Sequence, residues 1–94
     1  MPKFIIQRDI PEIGSADDAA LSAAAAKSNE VLSAMQAEQK DINWEHSYVA
    51  GDQTFCVYSC ASEDLIHEHS ERSGFPASTI SEVKNHIDPS TANS

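Results

Sequence analysis

Basic residues are scarce in this 94-residue sequence: six Lys and Arg stand against fifteen Asp and Glu, for a formal net charge of −9. No cluster of Lys or Arg occurs along it. Such a chain repels phosphate backbones and anionic lipid, so neither a nucleic acid nor a membrane surface is expected as a partner. Long apolar runs are missing too. The N-terminal MPKFIIQRDIP holds only Phe4, Ile5 and Ile6 before Gln7, Arg8 and Asp9 interrupt it, too little for a signal-peptide core or a membrane span. The expected location is the cytoplasm, where thiols stay reduced.

Large apolar side chains are few, because much of the 40% hydrophobic content is alanine. The length suits one compact domain with a modest core, expected over residues 1–88, followed by a polar tail at 89–94 without an apolar anchor. Enzyme signatures are absent as well: there is no Walker A or dinucleotide glycine pattern, no Gly-x-Ser-x-Gly and no His-Glu-x-x-His. Cysteine occurs only as Cys56 and Cys60, in TFCVYSCA. If that segment is a strand, the two Cα atoms lie about 13 Å apart, beyond the roughly 7 Å that a disulfide bridges. The plain reading is two small buried apolar residues, and nothing in the sequence marks Cys56 as an activated thiolate.

What is present reads as six elements. Phe4 to Ile10 is isoleucine-rich and ends at Pro11, a strand pattern. Ser15 can cap a helix over about 16–39 with Asp17 and Asp18 in its first turn. Leu21, Ala24, Ala25, Ser28, Val31, Leu32 and Met35 recur along that helix at three- and four-residue intervals as one stripe. Asp41 to Val49 and Thr54 to Ala61 are aromatic and β-branched runs joined by Gly51-Asp52, a hairpin signal. Ser62 can cap a second helix, which Gly74 and Pro76 stop. Ser78 to Ile87 supplies the last strand.

The order predicts a ferredoxin-like βαββαβ fold of α+β class, a four-stranded antiparallel sheet with both helices on one face. The strand at 54–61 puts Phe55 and Val57 on one side and Cys56, Tyr58 and Cys60 on the other, while Phe4-Ile5-Ile6 is apolar on both. Two helices cover only one side of a sheet. The other apolar face is therefore expected to pack against a second copy, as a homodimer of the dimeric α/β-barrel type.

Four histidines carry the candidate chemistry. In LIHEHSER, His67 and His69 are separated by about 200° around a helix, so one ion cannot be held by both. His69 falls on the core-facing stripe, where a half-buried imidazole bonded to a carbonyl is the competing reading. His67 lies between Glu63 and Glu71 on the wet face, where imidazole and carboxylate could hold a divalent ion. Alternation puts Trp44, His46 and Tyr48 on one face of their strand. A two-residue Gly51-Asp52 turn sets His46 opposite Val57 and Cys56 opposite Ser47, on the other side; a one-residue slip would bring His46 and Cys56 together. His86 and Asp88 form a weak pair near the chain end.

The segments PKFIIQRDIP, INWEHSYV, FCVY, EHSERSGFPAS and SEVKNHIDP span about residues 2 to 91 and resemble a family of small bacterial nickel-binding proteins, a domain family of unknown function. The resemblance implies a ferredoxin-like subunit, a homodimer and a role in nickel sequestration or detoxification. His46, Cys56 and His69 match its motif positions, whereas His67 and Cys60 depart from them. The candidate metal residues are thus His46, His67, His69, Cys56 and Glu71, with nickel as the expected ion and zinc or another divalent first-row ion as alternatives. The competing function is a small dimeric α/β-barrel enzyme or small-molecule binder with a pocket around Trp44, His46, Tyr48 and His69.

Overall fold

The structure, a computed structural model, describes residues 1–93. Strands β1 (Lys3–Asp9), β2 (Ile42–Ala50), β3 (Gln53–Cys60) and β4 (Thr79–Glu82) form one sheet in the order β2-β3-β1-β4. Every neighbouring pair is antiparallel. Helix α1 (Asp18–Ala37) follows β1 and helix α2 (Glu63–Ser73) follows β3. The chain is therefore the expected ferredoxin-like βαββαβ arrangement.

Both helices pack on the same side of the sheet. Leu32 and Met35 of α1 and Ile66 of α2 join Phe4, Ile6, Ile42, Cys56, Tyr58 and Cys60 in one core. Period-two alternation selects the strand residues: on β1 Phe4, Ile6 and Arg8 are buried, whereas Lys3, Ile5 and Asp9 are exposed. The α1 stripe buries Ser28, Leu32 and Met35. Alanines at 24 and 25 leave its N-terminal half standing off from the sheet with a cavity beneath it.

Local chemistry moved two helix and strand ends. Asp17, not Ser15, caps α1: its carboxylate accepts from the Ala20 N–H at 2.8 Å. Ser15 is instead consumed in a preceding 3-10 turn, where its hydroxyl donates to the Glu12 carbonyl at 3.1 Å. A carboxylate in that position caps as well as a hydroxyl and also meets the helix dipole. The last strand stops at Glu82 rather than Ile87. Its only partner among the described residues is β1, and the final ladder bond, Val83 N–H to the Lys3 carbonyl at 2.8 Å, meets the beginning of that strand. Beyond it, residues 83–88 have no strand beside them.

The hairpin has the two-residue turn, with Ala50 opposite Gln53, Tyr48 opposite Phe55, Ser47 opposite Cys56 and His46 opposite Val57. Gly51 takes a φ of 59°, a conformation that glycine enters without steric cost. One residue further along β2 the register shifts: Trp44 lies opposite Tyr58, and Glu45 is an extra residue. This bulge corrects the expected alternation. Trp44 turns to the helix side with Tyr58, whereas His46 and Tyr48 stay on the uncovered side.

An exposed charge network ties the two helices together. Arg72 donates to both Glu38 oxygens at 2.9 and 2.7 Å, and Lys40 reaches Glu68 at 2.6 Å. Arg72 and then Lys40 hold the Glu38 carboxyl down to about 2. At the opposite end Pro89–Asn93 forms a short exposed 3-10 turn, and the Asp88 carboxylate accepts from the Ser90 N–H at 2.9 Å. No helix among the described residues is long and apolar enough to cross a membrane.

Candidate functional site

The sheet separates the histidines and cysteines that the sequence brought under suspicion. His46 stands on the uncovered face, where it meets the Tyr48 ring edge-on at 5.4 Å between centroids. Beside it, Lys3, Ile5, Val57, Val83, Asn85 and His86 complete a shallow depression. His86, 40 positions away in sequence, thus shares a surface with His46. Its Nδ1 is 3.9 Å from Asp88. No local motif marks this pairing; it arises because β4 pairs with β1 and the segment after it runs on past the start of that strand.

Around that depression the bulge supplies a carboxylate. Glu45 is turned out to the same face, where it accepts from Lys3 at 3.1 Å and from the Ser59 hydroxyl. Those two donors, Ser59 first, hold its carboxyl below the ordinary carboxylate value. The Lys3 charge is therefore answered locally by Glu45.

Cys56 lies on the other side, buried, with its thiol donating to the Thr54 hydroxyl at 3.5 Å. The two-residue turn thereby keeps His46 and Cys56 on opposite faces. Cys60 is also buried, points to the Ser62 carbonyl at 3.2 Å, and has its thiol pushed up by burial. Both cysteines are free.

His69 is wholly buried between the helices and the sheet. Its Nε2 is 3.1 Å from the Ser28 hydroxyl of α1, its ring is 5.5 Å from that of Tyr58, and its Nδ1 has no partner among the described residues. Burial, and then the charge of Arg8, lower it to about 4, so it is neutral near pH 7. His67 is exposed on the opposite side of α2, with Nε2 3.1 Å from Glu63; Glu71, one turn on, is exposed as well. The two halves of LIHEHSER therefore face a dry core and open water.

Among the described residues no three His, Cys, Asp or Glu side chains gather closely enough to hold a metal ion. A first-row ion bound through imidazole takes four or more donors in most of its geometries. What the described residues offer is pairs: His46 and His86 line one depression, His86 lies near Asp88, and His67 meets Glu63 on α2. Taken alone, they do not complete a coordination sphere.

The imagined pocket around Trp44, His46, Tyr48 and His69 is also divided. A cavity of ≈290 Å³ does exist under α1, and Trp44 lines it, but His46, Tyr48 and His69 do not. The bulge at Glu45 decides this by sending Trp44 one way and His46 the other.

The family model described as nickel responsive protein SCO4226-like matches residues 4–83. Among solved structures, the crystal structure of SCO4226 from Streptomyces coelicolor A3(2) superimposes with a TM-score of 0.71 at 18% sequence identity, covering 90% of this chain and 99% of that one. That likeness carries the fold. No curated protein sequence matches.

Proposed function

We propose that this protein, which belongs to the nickel responsive protein SCO4226-like family, binds nickel or a related divalent first-row ion on the uncovered face of its sheet, as a homodimer. Sequestration of the ion is the role this suits. The observation that supports it is the pairing of His46 and His86 in one depression of that face. Imidazole is a preferred ligand of nickel and zinc. One copy stops short of a coordination sphere, and a second copy laid on the same face would bring further donors.

The face itself favours such a partner. Ile5 is 40% and Tyr48 65% exposed, with Phe55 and Val57 half-buried between them. Apolar side chains in a contiguous row are what a self-complementary interface covers. The pair formed by His67 and Glu63 is the second place on the chain where an imidazole and a carboxylate already meet.

Titration calorimetry of nickel into chelator-stripped protein, with light scattering on the same sample, tests the reading. Binding tighter than about millimolar by a dimeric species is expected. His46→Ala should weaken it at least about tenfold, and His67→Ala should leave it unchanged. A strictly monomeric protein with no nickel affinity would reject the proposal; loss of binding in His67→Ala alone would move the site to α2.

A further inference from the structure

The cavity beneath α1 has no part in the nickel reading. It is bounded by the N-terminal half of that helix, the β2-β3 hairpin and the segment after α2. Its walls are mainly apolar, from Ile13, Leu21, Ala24, Val49 and Phe75. Only one charged residue lines it, Arg8.

Arg8 is unusual in its own right. It is 2% exposed, yet among the described residues it has no carboxylate partner. Its Nη1 donates to the Ser70 hydroxyl at 3.0 Å and to the carbonyls of Phe75 and Pro76 at 3.2 and 2.8 Å. Its Nη2 is covered and has no hydrogen-bond partner among the described residues. A buried guanidinium with no counter-ion is costly, and neutral carbonyls repay only part of that cost. The chain carries fifteen acidic residues, and none lines the cavity.

We propose that this cavity is a binding site for a small monocarboxylate with an apolar body, its hydrocarbon part held under α1 and its carboxylate meeting Arg8 where a small shift of the cavity wall uncovers Nη2. An apolar pocket with one convergent charged group is the usual form of such a site, and a guanidinium pairs with a carboxylate through charge-assisted hydrogen bonds. His69, neutral near pH 7, adds no second charge. The Tyr58 phenol, also on the wall, is raised by burial and stays protonated, so it supplies no internal anion.

Size selects the probe. A water molecule's share of liquid volume is roughly 30 Å³, so ≈290 Å³ admits about ten non-hydrogen atoms, the size of octanoate. Trp44, the single tryptophan, lines the same cavity and reports on its filling.

Octanoate titrated into the metal-free full chain, in the presence of a chelator, should change the Trp44 emission saturably at sub-millimolar concentration, with octanol at least about tenfold weaker. Arg8→Gln should abolish the octanoate response. Because Arg8 also ties β1 to the segment after α2, Ala24→Leu serves as the second variant: it fills the cavity from a helical position that favours leucine and should abolish binding while the protein stays folded. No saturable response up to about 5 mM would overturn the proposal, as would octanol binding as tightly as octanoate. Undiminished binding in folded Ala24→Leu would overturn it too. Use of metal-free protein keeps these outcomes separate from any failure of the nickel reading.

Discussion

The two faces of the sheet are made by the same strands and have opposite environments. On β1 the neighbours Ile5 and Ile6 have identical side chains, yet Ile6 is 0% and Ile5 40% exposed. The helices account for the difference. Beneath them the alternate residues Ile6, Cys56, Tyr58 and Cys60 pack with Leu32, Met35 and Ile66, and polar groups that enter are bonded or neutral, as His69 is. On the other side Ile5, His46, Tyr48 and Val57 stand among polar and charged residues such as Lys3, Glu45 and Ser59, and among the described residues no helix covers them. The uncovered face is where the proposed second copy would lie, whereas the covered face, already dry, can hold only small ligands in what space α1 leaves.

The sharpest test of the contrast is a pair of substitutions. Ile6→Ala removes wholly buried methyl groups and should cost about 2–5 kcal/mol in denaturant unfolding. Ile5→Ala should cost well under that in a monomer, and the loss should grow with protein concentration if the uncovered face holds a second copy. Equal, concentration-independent costs for both would erase the distinction between the faces.

A second effect belongs to the covered face alone. His69 has a folded value of about 4 against an ordinary 6.5, so on acidification the unfolded chain takes up the proton first. The contribution is complete above about pH 6.5 and is lost between about 6.5 and 4, at up to about 1.4 kcal/mol per pH unit. His69→Phe should flatten the unfolding free energy in that window. Glu38 titrates lower, because its stabilisation by Arg72 is present above its ordinary 4.5 and fades only toward about 2. A slope between pH 6.5 and 4 that survives in His69→Phe would assign it to other groups.

On the uncovered face the expected changes are smaller. Lys3→Ala breaks an ion pair whose partners remain 46% and 31% exposed; so exposed a pair contributes little to stability. Thermal unfolding should shift little, and less still in high salt. A large destabilisation would mean that a second copy buries Lys3 and Glu45. The same change removes a cation from beside His46 and His86 and should strengthen nickel binding slightly by calorimetry.

Much of this was legible before any coordinates. The Gly51-Asp52 hairpin is legible in the sequence but its register is not, because a one-residue slip in the loop puts His46 and Cys56 on one face; the structure decides for the two-residue turn with Ser47 opposite Cys56. The 100° step of a helix divided His67 from His69, and period two separated Cys56 from Phe55. The cap of α1 and the end of β4 were misplaced because each depended on a competitor: Ser15 was engaged by a 3-10 turn, and the segment after Glu82 ran past the start of β1. The bulge at Glu45 escaped notice because alternation assumes two residues per repeat, and INWEHSYV carries no glycine to announce an insertion.

By itself, then, the sequence determined the order of the elements and the alternation along β1 and β3, since these follow from spacings of a few residues along one backbone, and its resemblance to known proteins indicated the family. Only the tertiary structure decided that Trp44 and His46 part company, that His86 comes to lie beside His46, and that Arg8 is buried without an acidic partner. Those relations join positions dozens of residues apart. They depend on how a bulged sheet packs under two helices, which local spacing along the chain does not encode.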